Sequence, residues 1–149
     1  MKNIIALLLF FFCLGSFYST FAQVQYNNCS ATGANASAIG NKTTASGNNA
    51  LAGGYTSQAS GSNSLAFGYN SKATQSTTTA IGNTAIASGT GSMAWGNYVK
   101  ATAQNAFVFG TGTTANYPLT NSTANSIAFG VNSNKPTLLI TKSQNNNYI

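Results

Sequence analysis

The sequence predicts an all-β fold, a parallel β-roll (solenoid) built from 14-residue repeats with two short strands per coil. Three observations predict it. Gly40, Gly54, Gly68, Gly82, Gly96 and Gly110 recur 14 residues apart. An alanine stands five residues after each of them, at Ala45, Ala59, Ala73, Ala87, Ala101 and Ala115. Most of the glycines close a triplet that alternates large, small, large, as in Leu65-Ala66-Phe67. A fixed short period marks one unit copied and stacked. Alternation of period two marks a strand with two unlike faces.

The first 22 residues read as a secretory signal peptide. Lys2 supplies the positive start, Ile4 to Leu14 the apolar stretch, and Thr20-Phe21-Ala22 the small residues before a cut that leaves Gln23 first. The apolar stretch is too short for a helix across a bilayer of ~30 Å, so no membrane span is expected in the mature chain. Cys13 leaves with the signal. Cys29 then has no intrachain partner, which leaves an intermolecular bridge, a free thiol or a spare residue near the chain end.

Residues 23–34 read as a lead-in with the first half-coil, and 35–130 as the roll. Before each marker glycine runs a column of small residues, among them Ala38, Ala66, Ala80 and Ala94. Beside it runs a column of large ones, Ile39, Phe67, Ile81, Trp95, Phe109 and Phe129, broken at Gly53. Gly47, Gly61 and Gly89 open the second turn of their coils, where positive φ costs glycine little. Stacking at about 4.8 Å per coil makes each column a ladder. Seven or so coils give a thin rod, too thin to bury both apolar faces by itself. One ladder then packs inside the protomer and the other between protomers, and periodicity does not say which. From Gly110 to Gly130 the step is 20 rather than 14, so an inserted loop is expected near 116–121 around Pro118, with Tyr117 and Leu119 offered to a partner. Residues 131–149 read as one terminal strand, Thr137 to Thr141, and a disordered tail, with no evident cap for the open end.

The chain contains no Asp, Glu or His. General acid–base catalysis and carboxylate or histidine metal sites lack their parts, so no enzyme activity, cofactor or metal is expected. Gly89-Thr90-Gly91 and Gly110-Thr111-Gly112 lack the Gly-Lys-Ser/Thr of a phosphate loop. The lysines are thinly spread, which argues against nucleic acid and allows weak attraction to an anionic polysaccharide or cell surface. Candidate binding residues are Tyr55 and Tyr69, which follow marker glycines in adjacent coils, and Lys72 and Lys100, which share one repeat position two coils apart.

Asn63-Ser64-Leu65-Ala66-Phe67-Gly68 followed by Ser71-Lys72-Ala73 resembles the YadA-like head repeat of trimeric autotransporter adhesins. Asn35-Ala36-Ser37-Ala38-Ile39-Gly40 and Asn125-Ser126-Ile127-Ala128-Phe129-Gly130 are similar. The resemblance covers about Asn28 to Gly130. It implies a left-handed roll, a homotrimer, and export to the cell surface, outer membrane or exterior of a Gram-negative bacterium. It also implies attachment to host matrix proteins, cells, glycans or other surfaces. The family's neck, heptad stalk and barrel anchor are not seen, so trimerisation is expected from the head itself. Two other functions fit an uncharged solenoid. One is an ice-binding face, against which Thr43-Thr44, Thr77-Thr78-Thr79 and Thr113-Thr114 form no regular ladder. The other is a structural fibre subunit assembling through open roll ends.

Overall fold

The computed structural model describes residues 25, 26 and 28–142. The expected signal peptide (1–22), the Gln23 start and the tail at 144–147 lie outside the described residues. Among the described residues every regular element is a strand, and they form two sheets. Numbered in chain order, the nine-stranded sheet holds β1 (Gln25–Tyr26), β3 (Ser37–Asn41), β5 (Leu51–Tyr55), β7 (Leu65–Tyr69), β9 (Thr79–Asn83), β11 (Met93–Asn97), β13 (Ala106–Thr111), β15 (Ser126–Gly130) and β16 (Leu138–Thr141). The seven-stranded sheet holds β2 (Ser30–Ala31), β4 (Thr44–Ala45), β6 (Gln58–Ala59), β8 (Lys72–Ala73), β10 (Ile86–Ala87), β12 (Val99–Ala101) and β14 (Leu119–Asn121). The chain alternates between the sheets once per half-coil, which is the expected parallel β-solenoid. From β2 to β13 neighbouring strands pair in parallel with a register shift of 14, as in Ala66↔Ala80 and Ala73↔Ala87, and the shift becomes 20 where β12 meets β14 and β13 meets β15.

The open question of the two ladders has an answer. Ala38, Ala52, Ala66, Ala80, Ala94 and Ala128 from one sheet are fully buried, and so are Ala45, Ala59, Ala73, Ala87 and Ala101 from the other. The small ladder is the protomer core. A coil this flattened brings its sheets too close for anything much larger. Buried hydroxyls fill the corners; those of Ser57, Ser71, Thr78 and Ser92 bond to the backbone, whereas those of Thr43 and Ser64 are buried without a partner. Ser57 Oγ donates to Gly68 O at 2.7 Å, and Ser71 Oγ donates to Phe67 O and Gly82 O at 2.9 Å. The core coarsens toward the C-terminus, where Val99, Val108 and Leu119 are its largest side chains.

One expectation about the turns needs correction. Gly47, Gly61 and Gly89 do not have positive φ; the second-turn residues that do are non-glycine in every coil but one, where Gly91 has φ 68°. Lys42, Thr56, Asn70, Thr84 and Tyr98 hold the first turn of their coils near φ 55°, and Asn35, Asn49, Asn63, Thr77 and Asn105 hold the second. Asparagine tolerates this left-handed conformation better than most residues. The glycine at the second turn is there for space: a Cβ on Gly47 would collide with the carbonyl of Gly61 in the next coil. The marker glycines need both freedoms. Gly68 has φ 125°, and a Cβ there would meet the Gly82 carbonyl.

The inserted residues also lie earlier than expected, at 112–118, which meets the expected 116–121 only at 116–118. One residue, Tyr98, separates β11 from β12, whereas 112–118 separate β13 from β14. Leu119–Asn121 is therefore not loop but core strand, paired Val99↔Leu119 and Ala101↔Asn121. Ala115 keeps the count of 14 from Ala101 yet is exposed, and Asn121 takes its place inside. Asn121 satisfies its amide there by donating to Phe107 O at 3.0 Å and Ser126 Oγ at 2.8 Å. Finally, the roll has a partial cap. β16 turns back and pairs antiparallel with β15, which ends parallel growth of the larger sheet. Cys29 is buried, with its thiol donating to Ala38 O at 3.0 Å, so it is not presented for a bridge to another chain.

Candidate interaction surfaces

The long strands put every second side chain outward. The column containing Ile39, Phe67, Ile81, Trp95, Phe109 and Phe129 stands on the outer face of the nine-stranded sheet. Phe67 is 50% exposed and Trp95 53%. Beside it run Leu51, Leu65, Met93, Phe107 and Ile127, which also point out and which motif reading did not single out as a site. The rings pack along the column: Trp95 and Phe109 lie 6.3 Å apart between centroids, Phe109 and Phe129 5.5 Å. The gap at Gly53 is filled from the next coil. A Cβ on Gly53 would strike the Phe67 ring, so Phe67 lies down over its neighbour's missing side chain.

Tyr55 and Tyr69 are on this same face, stacked at 5.4 Å with ring planes 7° apart. β16 extends the face. Leu138 pairs with Phe129 and Ile140 with Ile127, so both continue the apolar columns, and both are about half exposed. The result is a two-column apolar stripe from Ile39 to Leu138, larger than the scattered exposed hydrophobes of a monomeric surface.

The outer face of the seven-stranded sheet is different. Lys72 and Lys100 lie on it, each paired with Ile86 between them. They are brought together by the register and are separated from Tyr55 and Tyr69 by the thickness of the roll. Tyr117 is on neither sheet. It lies near the end of the 112–118 insertion, 62% exposed, in a tight turn where its N–H donates to Thr114 O at 3.1 Å and Thr113 N–H donates to Tyr117 O at 3.1 Å. Leu119, expected beside it, is fully buried. The threonines at 43 and 78 are buried too and belong to no outer face.

A family model described as the YadA head domain repeat (two copies) matches four overlapping stretches, 31–57, 49–71, 59–85 and 73–98. Each match spans about two 14-residue coils, and the first three end one coil apart, at 57, 71 and 85. Residues 31–98 are similar to YadA head repeats. The marker glycines Gly40, Gly54, Gly68, Gly82 and Gly96 all fall within the matched stretch, and Gly110 and Gly130 continue the stacking beyond it. No curated protein matches the chain. Among the described residues no helix is long and apolar enough to cross a membrane.

Proposed function

We propose that this chain is the head of an exported, non-catalytic adhesin that works as a homotrimer on the surface of a Gram-negative bacterium. The observation that carries the reading is the exposed apolar stripe of the nine-stranded sheet on a scaffold of YadA head repeats. The protomer's own core is alanine and serine, so most of its large apolar side chains lie outside it. Covering one half-exposed ring such as Trp95 is worth about 1 kcal/mol, and a stripe of such rings in three chains adds up to a stable assembly. In this arrangement the nine-stranded sheets turn inward. Tyr55 and Tyr69 then belong to the contact between chains rather than to a ligand site. The seven-stranded sheet and the Tyr117 turn remain outside, available for attachment to cells, matrix or other surfaces.

Light scattering of residues 23–149 after size exclusion tests the reading. A mass of three chains supports it. A well-folded monomer at micromolar concentration overturns the trimer and with it the assignment of the apolar stripe.

A further inference from the structure

Six hydroxyl residues occupy one position in six successive coils: Thr32, Ser46, Ser60, Thr74, Ser88 and Thr102. Backbone bonds hold them in line. Ser60 N–H donates to Ala73 O at 2.9 Å, Thr74 N–H to Ala87 O at 3.0 Å, and Ser88 N–H to Ala101 O at 2.9 Å. The other three make the same bond to the next coil. Each follows a buried alanine, so each side chain points outward from the seven-stranded sheet. Five of the six are exposed and Ser88 is half-buried. Thr74 and Thr102 lean their hydroxyls on backbone carbonyls at 3.5 and 3.4 Å; the other four offer theirs to solvent. The column is regular at about 4.8 Å per step.

Two residues earlier in the coil, on the same face, stand Lys72, Ile86 and Lys100. The lysines are two strand spacings apart, roughly 9.5 Å. The strands of the opposite sheet carry no lysine. No carboxylate side chain exists anywhere in the sequence to neutralise the two lysines or to repel an approaching anion. The face is flat, neutral apart from these two charges, and rich in groups that both donate and accept hydrogen bonds.

An extended hexose chain advances by about one strand spacing per sugar. A polymer with one anionic group on every second sugar therefore repeats its charge at the spacing of Lys72 and Lys100. Its hydroxyls meet the hydroxyl column at every coil. We propose that the outer face of the seven-stranded sheet binds a linear acidic polysaccharide lying along the roll axis. The proposal names the ligand class of the adhesin reading and rests on it for its biological setting.

Hyaluronan, with one carboxylate per disaccharide, is the probe, and neutral dextran the comparison. The expected result is salt-sensitive binding of residues 23–149 to immobilised hyaluronan and none to dextran. Lys72→Gln with Lys100→Gln weakens it about tenfold. Lys42→Gln with Lys135→Gln removes the same charge away from this face and weakens it less than about twofold. Absence of hyaluronan binding in low salt overturns the proposal. So does equal binding to dextran, or equal loss from the two lysine pairs. Light scattering of every variant keeps the two readings apart. A monomer that still binds through Lys72 and Lys100 sinks the trimer and keeps the ligand; a trimer that ignores hyaluronan does the reverse.

Discussion

The outer faces of the two sheets share a core, a 14-residue period and a pair of left-handed turns, yet differ in almost every side chain. One face carries Leu51, Leu65, Phe67, Trp95, Phe109 and Phe129; the other carries Thr44, Gln58, Lys72, Thr74, Lys100 and Thr102. Both sit on the same alanine interior, so the interior imposes neither choice. The difference shows where the large apolar side chains are meant to act. They contribute little inside the protomer, whose strands are held by parallel backbone ladders and by close contact of small residues. In the proposed trimer their place is the contact with other chains. The polar face, by contrast, spends its regular spacing on presenting hydroxyl and ammonium groups to water or a ligand.

The largest effect should come from charging the apolar face. Phe67→Asp with Trp95→Asp removes two rings from each of three chains and puts carboxylates in their place. Association should weaken at least about a thousandfold, seen as a three-chain mass falling to one chain. Ser60→Asp with Ser88→Asp puts the same charges on the polar face, and the mass should stay at three chains. If both pairs dissociate the assembly alike, the two faces are not functionally distinct and the comparison fails.

The next effect is internal. Leu119→Ala empties the largest side chain in the core and should cost about 2–5 kcal/mol in denaturant unfolding. Gly53→Ile comes below it. The new side chain would displace the Phe67 ring, which is the flexible end of a side chain and has solvent to move into in a single chain. An isolated protomer should therefore lose no more than about 1 kcal/mol, whereas an assembly packed on that face should lose about 1–3 kcal/mol per chain. Equal melting shifts from Gly53→Ile in the parent and in a protein dissociated by Trp95→Asp alone, which keeps the Phe67 ring, would show that the Phe67 layer is not buried between chains.

Much of this was legible in the residues. The glycine and alanine beats place the strands, their pairing partners and the two sheets, because in a solenoid the period is the register. The direction of the faces was not legible, since Ala66 and Phe67 are both apolar. The thickness of the coil, set by how tightly the left-handed turns close, sends Ala66 in and Phe67 out. The inserted loop misled because Ala115 keeps phase with Ala101 by count alone. The hydrogen-bonded register instead pairs Ala101 with Asn121, a polar residue whose buried amide finds three partners that no spacing rule reveals. The turns were less legible, because most of their left-handed residues are not glycine; the signal lies in Asn35, Asn49, Asn63 and Asn105, all at one repeat position.

That asparagine position yields the smallest and most selective test of the comparison. It lies at a turn between the two faces and bears on neither. Asn49 has φ 55°, accepts from Asn35 Nδ2 at 3.2 Å and donates from its own Nδ2 to Asn63 Oδ1 at 3.1 Å. Asn49→Ala loses both the amide ladder and the tolerance for left-handed backbone, and should cost about 1–2 kcal/mol. Asn49→Gly keeps the backbone tolerance and loses only an exposed ladder, so the cost should fall to about 0.5–1 kcal/mol. Neither change should alter the mass of the assembly or its retention on hyaluronan, because neither touches an outer face. If Asn49→Gly proved as costly as Asn49→Ala in thermal unfolding, the side-chain ladder rather than the turn conformation would be what fixes asparagine here. The turns would then hold neighbouring coils together instead of merely setting the spacing that both faces inherit.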